Sequence, residues 1–168
     1  SETQFSELAQ LVPVGIAHFD AEGRYTFVNS RHRALTGRGA EDSVGKLWSE
    51  FVQPEDRNEI ADVWDRTMAP THAFICEYRF VRPDGLITHV IGEVRTETDS
   101  TGKVIGYIVA QTDITQRKRA EAELLVAKQQ AESANLAKTR FLAAASHDLR
   151  QPIQAINLFR DALGRTAL

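Results

Sequence analysis

Ser146-His147-Asp148-Leu149-Arg150-Gln151-Pro152 is the stretch of this chain best equipped for chemistry. A neutral imidazole is a nucleophile whose charge state switches near physiological pH. Asp148 beside it can orient the ring or take its proton. Adjacent residues on a helix do not face one another, so Asp148 has to reach sideways. Leu142, Ala145, Leu149, Ile153, Ile156 and Leu163 fall at helical spacing and form one apolar stripe. His147 lies off that stripe, with Arg150, Gln151 and Gln154 on its own face at i+3, i+4 and i+7. Pro152 lacks an N–H and crowds the preceding turn, which predicts a kink one turn after the histidine. An isolated His-Asp pair on a helix is most often solvated surface, so the case for a site depends on what surrounds it.

Composition narrows the setting. The 168 residues suffice for one domain and an appendage, and 42% hydrophobic with 26% charged residues describe a soluble globular protein. A formal charge of −3 gives no basic footprint for nucleic acid. The single cysteine, Cys76, excludes an intramolecular disulfide framework and a cysteine cluster for zinc, and no metal site is expected. No apolar run approaches the ~20 residues of a membrane span, and no charged leader precedes an apolar segment. A cytoplasmic location is the expectation. The chain stops at Leu168 inside a helical pattern and reads as a piece of something longer.

The elements that must position the histidine follow from periodicity and turn residues. A short amphipathic lead from Phe5 to Leu11 ends at Pro13. Val14 to Val28 reads as a hairpin about Asp20-Ala21-Glu22-Gly23. Asn29 is placed to cap a short helix through Leu35, with Gly37 and Gly39 closing it. Pro54-Glu55-Asp56 opens a clearer helix with Ile60, Val63, Trp64 and Met68 on its apolar side, stopped by Pro70. Three strands follow, 74–81, 86–96 and 104–112, joined by turns at Arg82-Pro83-Asp84-Gly85 and Asp99-Ser100-Thr101-Gly102. The order predicts an α+β fold: a five-stranded antiparallel sheet with its helices gathered on one face. Gln116 to Ala145 then contains no Gly or Pro and is rich in strong helix formers, so a long C-terminal helix is expected. Its seam of Ala120, Leu124, Ala127, Ala131, Ala134 and Phe141 has little bulk for an isolated coiled coil, and its phase differs from the Leu142–Leu163 stripe. Such a phase change suits a register or rotation switch, and a passive spacer fits equally well.

Two resemblances add to this reading. Val14-Gly15-Ile16, Asn29 before a short helix, Val44-Gly45-Lys46-Leu47, Gln53-Pro54-Glu55-Asp56-Arg57, the Arg79 to Gly85 turn, and Gly106-Tyr107-Ile108 through Asp113-Ile114-Thr115 resemble a PAS domain over residues 8 to 115. In that family Asp113-Ile114-Thr115 closes the last strand and starts the output helix. The string Ser146 to Pro152, led by Phe141-Leu142-Ala143-Ala144-Ala145, resembles the H-box of sensor histidine kinases. That resemblance implies that His147 is the phospho-acceptor and Asp148 the acidic neighbour assisting transfer. Gln151 stands where many members carry Thr or Asn, a position associated with dephosphorylating the partner, so the resemblance extends to phosphotransfer and not to phosphatase activity.

The chain is accordingly divided into a lead helix (1–9), a PAS sensor domain (10–113), a signalling helix or coiled coil (114–138) and a truncated phosphotransfer helix (139–168). The implied reaction passes phosphate from ATP to His147 and on to the receiver domain of a response regulator. ATP is held by a kinase domain absent from these residues, so the chain alone is expected to be inactive. A lone amphipathic helix cannot bury its stripe, which implies a homodimer. The ligand of the sensor is open, and a ligand-free relay is one reading. His72 is a weak candidate for haem, Cys76 suits a small core residue, and Trp48 and Trp64 are bulky enough to line a pocket although such aromatics are usually core. The alternatives are a non-enzymatic PAS dimerisation module or a receptor for haem, flavin or another small molecule.

Overall fold

In a computed structural model, described for residues 2–66 and 73–166, the chain forms two compact units, 1–119 and 120–168. The first contains helix α1 (Glu2–Leu11), strands β1 (Gly15–Asp20) and β2 (Tyr25–Val28), helices α2 (Ser30–Thr36), α3 (Ala40–Ser43) and α4 (Pro54–Arg66), and strands β3 (Ala73–Val81), β4 (Ile87–Thr98) and β5 (Val104–Asp113). Helix α5 (Thr115–Thr166) begins in the first unit and makes up the second. His72 and Met68 lie outside the described residues.

The sheet order is β2-β1-β5-β4-β3, antiparallel throughout, so the first and last strands of the domain pair at its centre. Each hairpin turn places Asp where its carboxylate can accept backbone N–H groups and Gly where the chain reverses. In the first, Asp20 Oδ1 accepts from Glu22 and Arg24 at 3.0 and 2.8 Å, and Gly23 takes φ +82°. Both sheet edges are covered. Tyr25 and Gly45–Lys46 exchange backbone bonds beside β2, and Val81 N–H donates to Phe51 O beside β3 at 2.9 Å.

Side chains alternate between the two faces along β3. Tyr78 and Phe80 are buried and Phe74 and Cys76 pack against the core, while Ile75 and Glu77 face out. The core is aromatic, built from Phe19, Tyr25, Phe51, Tyr78, Phe80 and Tyr107 with Trp48 and Trp64 against it. Gly92 faces Tyr78, and a Cβ there would come within 2.9 Å of the phenol oxygen, so the missing side chain makes room for the ring. Asp56 at the start of α4 receives Arg79 Nε and Nη2 at 3.0 and 2.6 Å and the Arg79 backbone N–H at 2.9 Å. These hydrogen bonds hold the Asp56 carboxyl below the usual range and tie α4 to the edge strand.

Candidate functional site

Three residues connect the sheet to α5. Asp113 Oδ1 accepts the Thr115 N–H at 2.8 Å, and Ile114, buried, donates its N–H to His89 O at 2.8 Å. Thr115 Oγ1 accepts the His89 N–H at 3.0 Å. Asp113 thus serves the helix backbone, and the Thr115 hydroxyl is given to β4. Glu77 on β3 then receives Lys118 Nζ at 2.6 Å and Arg117 Nη2 at 2.8 Å. The Lys118 hydrogen bond, with Arg117 beside it, holds the Glu77 carboxyl below its usual range. The first turn of α5 is thereby fixed to β4 and to the edge strand β3.

Residues 120–166 form one uninterrupted helix in which every side chain is exposed except Ala145, which is half-buried. His147 and Asp148 are 69% and 81% exposed, and His147 Nδ1 lies 3.7 Å from Asp148 Oδ1. That distance is too long for a hydrogen bond but leaves Asp148 at the Nδ1 side of the ring. Pro152 lies inside α5 and does not end it. Lacking an N–H, it leaves the Asp148 carbonyl without its usual i+4 donor, one residue from the histidine. The stripe of Leu142, Leu149, Ile153, Ile156 and Leu163 is between 52% and 66% exposed.

Inside the sensor unit the structure assembles a polar cluster that the sequence reading did not single out. His32 on α2 is fully buried, with Nδ1 2.5 Å from Gln111 Oε1, and Gln111 Nε2 donates to the Tyr78 hydroxyl at 2.8 Å. The amide orientation makes Nδ1 the protonated nitrogen and leaves Nε2 bare, buried and without a partner among the described residues. Burial pushes the imidazole down to about 4 against the opposing Gln111 bond, and raises Tyr25 and Tyr78. The signal available in sequence was Gln111, a polar residue at an inward position of β5 after Tyr107 and Val109. The cavity among Tyr25, Trp64, Tyr78 and Gln111 measures about 20 Å³, room for one water. Any larger core ligand requires the helices to move off the sheet. Burial also pushes the Cys76 thiol up to about 11, away from thiolate chemistry.

On the outer sheet face His18 reaches across β5 to Glu97 on β4, Nε2 to Oε2 2.8 Å, while Nδ1 contacts the Thr26 hydroxyl. Gly106 makes this crossing possible, since a Cβ there would meet the ring at 3.2 Å. Among the described residues no helix is long and apolar enough to cross a membrane.

Comparison with known proteins bears on both units. The family described as the PAS fold matches residues 10–119. An uncharacterized sensor-like histidine kinase of Rhizobium meliloti is 29% identical over 96% of the chain, which covers 33% of that protein. The virulence sensor protein BvgS of Bordetella parapertussis is 34% identical over 82% of the chain and 11% of its own length. The sensor protein kinase WalK of Staphylococcus aureus is 26% identical over 89% of the chain and 31% of its own. The chain therefore spans a third or less of these relatives. With 21 residues following His147, an alignment over 96% of the chain includes that histidine. Among solved structures, the PAS domain of a Colwellia psychrerythraea protein superposes with TM-score 0.60 at 19% identity, over 68% of this chain and 98% of that one. An RNA-binding light-oxygen-voltage receptor does so with TM-score 0.63 at 20% identity, over 76% and 37%. These two likenesses concern the fold alone.

Proposed function

The chain belongs to the PAS-fold family, and on that premise we propose that it is the sensor and first phosphotransfer helix of a two-component histidine kinase, with His147 as phospho-acceptor. The observation that carries this reading is His147 itself. It stands solvent-exposed within the Ser146–Pro152 string, off the apolar stripe, on the helix that starts where the last PAS strand ends. In the reaction, the Nε2 lone pair attacks the γ-phosphorus of ATP presented by a separate kinase domain. The N–P bond forms as the bond to ADP breaks. Asp148, on the Nδ1 side, offsets the charge that develops on the ring. An aspartate of a receiver domain then takes the phosphoryl group, breaking the N–P bond.

The exposed stripe supports pairing with a second copy, because a single helix cannot remove it from water. By itself the stripe would equally serve a PAS dimerisation module with no phosphotransfer. Incubating the chain with ATP and an isolated kinase ATP-binding domain separates the two. The kinase reading expects label on the wild type and none on His147→Ala, with no label when the chain meets ATP alone. Absence of label on the wild type, or equal labelling of the variant, leaves the dimerisation module.

A further inference from the structure

Beside the β1–β2 turn, Trp48 and Trp64 stack nearly parallel, with an interplanar angle of 10° and centroids 6.1 Å apart. Trp64 is anchored from the core side by Phe19 and Tyr107, with centroids at 6.5 and 4.3 Å. Trp48 is held against the turn by its backbone N–H, which donates to Gly23 O at 3.1 Å. A Cβ on Gly23 would come within 2.9 Å of the Trp48 ring, so the indole needs the glycine's bare backbone. Apolar packing alone would cover the pair. Instead a pocket of about 260 Å³ opens on both rings, with Ala61 at its wall and the exposed carboxylates of Glu22 and Asp65 beside it. Among the described residues neither carboxylate forms an ion pair.

We propose that this pocket binds a small organic cation of the quaternary-ammonium class. Indole is the ring that attracts cations most strongly, and the effect is greatest for diffuse, weakly hydrated ions that need no directed hydrogen bonds. The two carboxylates supply long-range attraction without the fixed oxygen cage that a metal ion requires. The site stands apart from the phosphotransfer reading and does not depend on it.

Trp48 and Trp64 are the chain's only tryptophans and both line this pocket, so its indole fluorescence responds to a ligand that enters there. Titration of the whole chain with choline is expected to change that fluorescence saturably. The neutral carbon isostere of choline, 3,3-dimethylbutan-1-ol, is expected to leave it unchanged at the same concentrations. Glu22→Gln with Asp65→Asn removes only exposed charge and should weaken choline binding about fivefold. A response that never saturates, an equal response to the alcohol, or unaltered binding by the double variant overturns the proposal.

Discussion

His32 sets the acid limit of the sensor unit. Its imidazole titrates at about 4 in the fold and near the ordinary 6.5 in the unfolded chain. Between those values the unfolded state binds the additional proton. This contribution to stability is whole above pH 6.5 and drains away as pH falls toward 4, by roughly 3 kcal/mol. Asp56 is held below the usual carboxylate range, so the stability it contributes is lost only at still lower pH. Urea unfolding across this range should therefore show a first decline between pH 6.5 and 4 that His32→Leu removes. A flat profile there would mean that the ring is not buried neutral. Asn29 shows how far a single residue was legible. Its capping of α2 was readable from its position, and Oδ1 does accept the His32 N–H at 2.9 Å. The same oxygen also takes the Ile16 N–H, while Nδ2 donates to Ala9 and Val14 carbonyls. Nothing local in sequence announces those bonds, because they depend on where β1 and α1 come to lie.

At the scale of elements, the strands, turns and long helix follow from period and punctuation, and their observed bounds differ from expectation by a few residues. The partners across the sheet do not follow. That β1 pairs with β5 brings His18 over Gly106 to Glu97, a relation between residues 79 apart for which alternation carries no information. The docking of α1 is similar: Phe5 meets the Phe27 ring at 5.6 Å, although β2 was readable only as a strand. The junction to α5 was legible from Asp113 and Thr115, but the contribution of Glu77 was not. Glu77→Gln should leave the sheet intact while speeding amide hydrogen exchange at Lys118, whose N–H bonds to Ile114 O in the first turn. Unchanged exchange there would show that Asp113 and Thr115 hold the junction without the ion pairs.

For the molecule as a whole, the contrast is between a first unit with a filled aromatic core and a helix whose apolar side chains lie in water. That imbalance predicts a dimer through α5. Leu149→Lys with Ile156→Lys should convert a dimer to a monomer in sedimentation velocity while the sensor unit melts as before. A wild-type chain that sediments as a monomer contradicts the pairing. That the string around His147 lies on a single helix was readable because helical period is local, whereas the polar cluster of His32, Gln111 and Tyr78 draws on three separate elements. Phosphotransfer in this chain requires His147, and phosphorus NMR of the chain after reaction with ATP and a separate kinase domain tests that role. It predicts one phosphoimidazole resonance that disappears on acidification and is absent from His147→Ala. An acid-stable phosphoester, or a phosphoimidazole signal that survives in the variant, would contradict it.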